Sequence, residues 1–145
     1  MRLSLRDVPT RLATGAYILH TGWEKWTDDG TSADGVHGMA AGAYPFLSRM
    51  PPATFLKALA TAEIGLGTAL LAPVVPNRLA GAGLTAFAGC LLTMYLRTPA
   101  LYKPGSIWPT AAGIGISKDV WMLGIGLGLL ADRETGDRGS CPATS

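Results

Sequence analysis

The fold is decided by the stretch ATAEIGLGTALLAP, Ala60–Pro73, an apolar run that carries one carboxylate, Glu63. A charged side chain at the centre of a bilayer costs roughly 2.5–3.5 kcal/mol on insertion scales. This run therefore either lies in the core of a soluble protein, or it crosses a membrane and Glu63 has a partner or a function there.

The composition of the whole chain favours a membrane. Its 145 residues are 48% hydrophobic and only 15% charged, whereas soluble domains carry roughly 25% charged residues. A helix needs about 20 residues to cross the hydrocarbon core, and four apolar segments approach that length. The alternative, a helical hairpin buried in a soluble protein, would leave too few charged faces to cover four such segments.

These four segments predict an all-α fold, a four-helix transmembrane bundle that forms a single domain over residues 1–131. Prolines and polar residues that flank the apolar runs mark the expected helix ends. The polar tail over residues 132–145 is expected to be disordered. The helices are expected at residues 8–26, 53–72, 78–97 and 117–131.

The connection between the first two helices has a composition of its own. It reads TDDGTSADGVHGMAAGAYPFLSRMPP, an acidic turn that is followed by a stretch rich in glycine and alanine. Such a stretch is too short to cross a membrane, yet it is apolar enough to lie at its surface. It predicts a short interfacial or re-entrant segment over about residues 35–47, interrupted at Pro45.

Several function classes are excluded by composition and spacing. The net charge of +2 and the lack of a Lys/Arg block argue against nucleic acid as a partner. Cys90 and Cys141 form no C-x-x-C motif, so neither thiol exchange nor a structural zinc site is indicated. His20 and His37 have no second local ligand, so no metal or haem site is expected.

The positions of the charges predict how the helices sit in a bilayer. Arg2 and Arg6 precede the first helix, and this cluster places both termini on the cytoplasmic side. Arg11 is expected to extend its side chain to the headgroups. The residues expected as membrane-interface anchors are Arg11, Trp23, Lys25, Trp26 and Arg97.

Polar and reactive side chains inside the helices are expected to share one depth. With the helix ends placed level and a rise of about 1.5 Å per residue, these side chains fall in one layer near the midplane. Two interpretations remain open for this layer. It forms a structural clamp in which His20 or Lys118 holds Glu63, or it lines a pocket that exchanges protons with a quinone. The residues of the layer are Tyr17, His20, Glu63, Cys90, Lys118 and Asp119.

Four motifs, taken in order, resemble the DoxX family of small bacterial membrane proteins. They are RLATGAYILHTGWEK in the first helix, ATAEIGLGTALL in the second, PNRLAGAGL at the turn into the third and KDVWMLGIGLGLL in the fourth. The resemblance covers residues 8–131. The chain departs from the family in its long linker, YLRTPALYKPGSIWPT.

The resemblance implies a bacterial inner-membrane protein that is linked to redox biology. It implies an accessory or quinone-binding subunit of a membrane redox assembly, with quinone as the one candidate cofactor and no assigned catalytic residue. A membrane oxidoreductase that acts directly on quinol and a structural or assembly protein without a ligand are the alternatives. The implied partners are the lipid bilayer, other redox subunits and further copies of the chain.

Overall fold

The computed structural model describes residues 6–131, which fold entirely into helices and connecting turns. The predicted all-α class is confirmed, but this part of the chain contains six α helices rather than four. The expected disordered tail lies outside the described residues. The helices are α1 (Val8–Thr27), α2 (Ala33–Ala43), α3 (Pro52–Leu71), α4 (Asn77–Arg97), α5 (Ile114–Ser117) and α6 (Val120–Ala131), with short 3₁₀ helices at Pro45–Arg49 and Pro99–Leu101.

Three helical segments are long and apolar enough to cross a membrane. They are Pro52–Leu71, Asn77–Arg97 and the combined segment Ile114–Ala131. α1 is as long as α3 but carries several charged side chains. Its composition alone therefore does not identify it as a membrane-spanning helix. The described chain thus has the helix lengths and composition of a membrane protein.

The last apolar segment is broken rather than continuous from Ser117. The Asp119 N–H donates to the Ile116 carbonyl at 3.0 Å, and the Trp121 N–H donates to the Lys118 carbonyl at 2.9 Å. Both bonds span three residues instead of four, which tightens the turn between α5 and α6. Ser117, where the fourth helix was expected to begin, instead ends α5, and its hydroxyl donates to the Ile114 carbonyl at 3.1 Å.

The expected segment after the first helix contains α2 and the 3₁₀ helix that starts at Pro45. Asp28 organises the turn before α2, because it accepts hydrogen bonds from the Ser32 hydroxyl at 2.8 Å and the Gly30 N–H at 2.7 Å. These bonds hold the pKa of the Asp28 carboxyl below its usual value. The His37 ring nitrogen Nε2 lies 2.9 Å from the Leu47 carbonyl and joins α2 to the 3₁₀ helix.

Arg11 is the first residue that fixes the packing of the long helices. Its side chain was expected to extend to the headgroups, and in the structure it is buried within the protein, with 2% of its surface exposed. All five N–H donors of its guanidinium have acceptors, which lie between the last turn of α3 and the first residue of α4. These acceptors are the carbonyls of Leu70 at 2.8 Å and of Ala69, Ala72 and Val75 at 2.9 Å, and Oδ1 of Asn77 at 2.7 Å.

Arg11 is buried here because the C-terminal carbonyls of a helix need donors from outside the helix. The last four carbonyls of any α helix lack intrahelical partners, and the C-terminal end carries a partial negative charge. A planar cation with five donors satisfies several of these carbonyls at once. Arg11 therefore aligns the start of α1 with the end of α3.

α1 and α3 pack along matching stripes with 4-3-4-3 spacing. The buried residues of α1 are Arg11, Gly15, Ile18 and Gly22. Those of α3 are Leu56, Ala60, Glu63, Gly67 and Leu70. This average repeat of 3.5 residues keeps one face of each helix against the other. Glycine in both stripes lets the two backbones come close.

The second helix pair, α4 with α6, also packs closely through glycine residues. A Cβ added at Gly81 would lie 2.8 Å from the Gly126 carbonyl oxygen, and a Cβ at Gly126 would lie 2.8 Å from the Thr85 nitrogen. One apolar cluster joins the two pairs where α3 ends and α4 begins. Its buried members are Ile18, Leu70, Ala80, Leu84 and Leu129.

Two glycines of α3 give a matched test of the close packing. A Cβ at Gly67 would lie 2.7 Å from the Leu19 backbone nitrogen, whereas a Cβ at Gly65 would meet nothing within 4 Å. We expect Gly67→Ala to lower the free energy of unfolding by about 1–3 kcal/mol, because α1 must shift away. Gly65→Ala should leave it unchanged or raise it by up to about 1 kcal/mol, since alanine favours helix. Thermal unfolding in detergent, monitored by circular dichroism, measures the stability of both variants. Equal effects of the two substitutions would contradict the close packing of α1 against Gly67.

Candidate functional site

The strongest candidate for a site is an ion pair between α1 and α3. Lys25 Nζ lies 2.8 Å from Glu63 Oε2, and the Thr21 hydroxyl donates to the same oxygen at 3.2 Å. The Glu63 side chain is only 8% exposed, and that of Lys25 is 26% exposed. Gly22 makes room for the pair, because a Cβ there would lie 2.9 Å from the Glu63 Cβ.

The expected partners of Glu63, His20 and Lys118, do not hold it. Level helix ends would place Tyr17 beside Glu63, but Gly22 lies there instead. α1 is thus displaced by five residues, about 7.5 Å at the rise of an α helix. The displacement follows from Arg11, which must reach the carbonyls at the end of α3. Lys25 continues the buried stripe of α1, so its side chain meets the carboxylate.

Three members of the expected polar layer point away from the pair. Tyr17 is 62% exposed on the far side of α1. His20 lies on that side too, where Nε2 is 3.5 Å from Glu24 Oε1. Cys90 is exposed on α4, and its backbone carbonyl accepts a hydrogen bond from the Tyr44 hydroxyl at 3.0 Å. The structure does not gather these three residues around Glu63.

The break between α5 and α6 brings two further charges to the site. Asp119 is partly buried and lies within electrostatic range of Glu63 and Lys25, as well as of its neighbour Lys118. Lys118 itself is exposed. The site therefore combines a closed ion pair with a second, half-buried carboxylate that comes from the turn between α5 and α6.

The residues expected as interface anchors take several roles. Trp23 is 59% exposed and Trp26 is 45% exposed. The Lys57 ammonium donates to the Trp26 carbonyl and lies 5.2 Å from the centre of its ring. Arg97 donates to the carbonyl of Ala43 at 3.1 Å, at the end of α2. Lys25 is no anchor, because its charge is engaged between two helices.

Sequence reasoning missed Thr21 and the role of Lys25 in the site. The signal that finds Lys25 is the spacing of the small and polar residues in α1. Arg11, Gly15, Ile18, Gly22 and Lys25 recur at 4-3-4-3 intervals, the same intervals that place Glu63 in the buried stripe of α3. Two stripes of this kind place Lys25 and Glu63 on the facing sides of α1 and α3, whereas the position of α1 along α3 decides that these two residues meet.

The side chains of the site act as hydrogen-bond donors and acceptors. Two acceptors are found for the three Lys25 donors within residues 6–131: Glu63 Oε2 and the Thr21 carbonyl, which is 3.3 Å away. One N–H thus remains for an oxygen atom of a ligand. In the described part of the chain, no three His, Cys, Asp or Glu residues are placed to hold a metal ion.

The comparisons with known proteins add no relative. No protein-family model matches the chain, and no curated protein or solved structure matches it.

A double-mutant cycle tests the Lys25–Glu63 pair. Lys25→Met alone leaves a buried carboxylate without its cation and should cost about 3–5 kcal/mol of unfolding free energy. Adding Glu63→Met should restore most of that loss, because a pair of apolar side chains often replaces a buried ion pair without cost. Chemical unfolding in detergent measures both.

The matched control for this cycle is Lys103→Met. Lys103 is exposed in the linker before α5, so its replacement should change the stability by less than about 0.5 kcal/mol. Additive losses in the double variant would show that the two charges are not coupled.

Proposed function

We propose that the chain is a DoxX-like bacterial inner-membrane protein that serves as an accessory, quinone-binding subunit of a membrane redox assembly. The observation that carries the proposal is the Lys25–Glu63 pair, whose carboxylate is buried, with Asp119 within electrostatic range of it. Ionisable groups at membrane depth are costly and mark functional sites by default. In this proposal α1, α3, α4 and the α5–α6 segment all cross the bilayer as a four-helix bundle with both termini in the cytoplasm.

The packing of α1 supports the fourth crossing. Arg11 ties the start of α1 to the end of α3, and Gly22 lies against Glu63 near the middle of α3. α1 therefore runs beside the apolar span Pro52–Leu71 over most of its length. Where α3 crosses a bilayer, α1 lies at the same depth.

A quinone headgroup suits the groups at this site. Its two carbonyl oxygens accept hydrogen bonds, and the remaining N–H of Lys25 donates one. Full reduction of a quinone adds two electrons and two protons. Glu63 and Asp119 would take up protons from water and relay them to the ring oxygens, and a partner redox subunit would supply the electrons. The role of this chain is thus to bind the quinone and supply protons.

A second candidate function is a structural clamp without a ligand. It is favoured by the tight contacts of Glu63, whose Oε2 atom already has both Lys25 and Thr21 as partners. In this case the pair fixes the register of α1 against α3, and the protein serves assembly alone. The two candidates differ in whether a quinone binds.

Quinone binding is tested with protein in lipid nanodiscs and a short-chain ubiquinone as the probe. Quenching of the fluorescence of Trp23 and Trp26 should follow a saturable curve with one equivalent bound. Glu63→Gln and Thr21→Val keep the side-chain shapes but alter the site, so each should weaken binding at least tenfold.

The control variant Lys103→Met should bind the probe as the wild type does. Circular dichroism verifies that each variant is folded. Linear quenching without saturation, or equal affinities in all variants, would favour the clamp over the quinone site.

A further inference from the structure

The linker between α4 and α5 folds back on itself over residues 102–109, a segment that we call the linker hairpin. Tyr102 and Pro109 form an antiparallel bridge, and the backbone N–H of Lys103 donates to the Trp108 carbonyl at 2.9 Å. Gly105 makes the tight turn possible, because its φ of 71° lies in the left-handed region that glycine tolerates. These contacts give the hairpin a defined shape, so the direction of its side chains is set.

The linker hairpin presents two large apolar side chains to its surroundings. Ile107 is 77% exposed and its neighbour Trp108 is 70% exposed, whereas Leu101, just before the hairpin, is buried. Adjacent exposed apolar side chains mark a contact with a membrane or with another protein. The level of the hairpin along the helices decides between these two.

The exposed end of the hairpin lies at the level of the last turn of α4. The Tyr95 hydroxyl donates to the Ile107 carbonyl at 2.8 Å. Tyr95 precedes Arg97, the last residue of α4, by two residues, which is about 3 Å along the helix axis. Side chains of a helix lean towards its N-terminus, so the Tyr95 ring does not point past the end of α4. The chain thus leaves α4 at Arg97 and returns to its side at Ile107.

This level is that of a membrane surface. α4 and the α5–α6 segment are both long and apolar enough to cross a membrane, and a linker between two crossing helices lies at one face of the bilayer. Contact with the last turn of α4 places Ile107 and Trp108 between the hydrocarbon and the headgroups. Tryptophan is enriched in this region, because its ring is apolar while its N–H reaches polar groups.

The backbone of the hairpin suits a region that is poor in water. The carbonyls of Ile107 and Trp108 both accept hydrogen bonds, from Tyr95 and Lys103. The Trp108 N–H donates to the Ser106 hydroxyl oxygen at 3.2 Å. Unpaired backbone groups are costly where lipid replaces water. The two residues can therefore enter the interface without leaving these backbone groups unpaired.

We infer that the linker hairpin is a membrane anchor, in which Ile107 and Trp108 insert among the phospholipid headgroups beside the end of α4. The inference rests on the proposed crossing of α4 and the α5–α6 segment. Lipid is the occupant because the hairpin returns to the side of a crossing helix, where lipid is the surrounding medium, instead of projecting into water where a soluble partner would meet it.

The anchor is connected directly to the segment that carries Asp119. The Thr110 N–H donates to the Leu101 carbonyl, and the Thr110 hydroxyl donates to the Ala100 carbonyl, both at 2.9 Å. A Cβ at Gly113 would overlap the Leu101 carbonyl, so the start of α5 packs closely on the linker. Insertion of the hairpin therefore fixes the height of the α5–α6 segment in the bilayer.

Fluorescence quenching in phosphatidylcholine proteoliposomes tests the level of Trp108. The substitutions Trp23→Phe, Trp26→Phe and Trp121→Phe leave Trp108 as the single tryptophan, and circular dichroism verifies the fold. Lipids that are brominated near the start of their acyl chains should quench at least half of its emission. Acrylamide in the water should quench it several times less than it quenches a soluble tryptophan derivative.

The matched control is the protein that keeps Trp121 alone. Trp121 is 70% exposed and belongs to the apolar segment Ile114–Ala131, so brominated lipid should quench it as well. Quenching of Trp121 by lipid with quenching of Trp108 by acrylamide only would overturn the anchor and leave the crossing in place. Shielding of Trp108 from both quenchers would show that protein covers it, and this too would overturn the anchor.

A second measurement does not depend on the tryptophan substitutions. A spin label is attached at Ile107→Cys after Cys90→Ser and Cys141→Ser have removed the natural thiols. Oxygen, which concentrates in the bilayer, should relax the label more strongly than a water-soluble nickel complex does. Stronger relaxation by the nickel complex would place Ile107 in water and contradict the anchor.

The anchor test is independent of the quinone proposal. Glu63 lies between α1 and α3, so Glu63→Gln should leave the quenching of Trp108 unchanged. A loss of quinone binding with Trp108 still in lipid would concern the site alone. Saturable quinone binding with Trp108 in water would concern the hairpin alone.

Discussion

The structure depends on hydrogen bonds to the carbonyl groups at helix ends. These carbonyls need donors from side chains, because water does not supply them there. Three cations meet this need, and each reaches the end of a different helix: Arg11 for α3, Lys57 for α1 and Arg97 for α2. The Arg11 contact has the widest consequence, because all five of its donors are engaged. It sets the position of α1 along α3, and every later contact between these helices follows from that position.

The displacement of α1 decides which residues meet in the site. With Arg11 at the end of α3, Gly22 lies against Glu63, and Lys25 is the cation within reach. The same displacement brings Glu24 level with the middle of α3, on the opposite side of α1. One helix therefore carries two polar features at one depth. The inner feature is the Lys25–Glu63 ion pair between two helices, and the outer one is the His20–Glu24 contact within α1.

Much of the helical fold could be predicted from the sequence, whereas the register could not. α1, α3 and α4 begin and end within one residue of their expected bounds, since apolar length and prolines mark them locally. The partner of Glu63 depends on how far α1 slides along α3, and no local signal reports that. The assumption of level helix ends failed because it treated Arg11 as a surface anchor. The side of α1 on which each residue falls would have excluded His20 as the partner of Glu63. His20 lies two residues beyond the buried Ile18 and therefore points to another side of the helix.

The most direct test of the position of α1 along α3 is a measurement of the distance between Lys25 and Glu63 in a lipid bilayer. Solid-state nuclear magnetic resonance with ¹⁵N in the lysine ammonium and ¹³C in the glutamate carboxyl groups reports it, and Lys25→Met identifies the signal. We expect a dipolar coupling that corresponds to a distance below about 4 Å between the Lys25 nitrogen and the Glu63 carboxyl carbon, as a charge-assisted hydrogen bond requires. A Glu63 signal with no coupling to the Lys25 nitrogen would contradict the register that Arg11 sets.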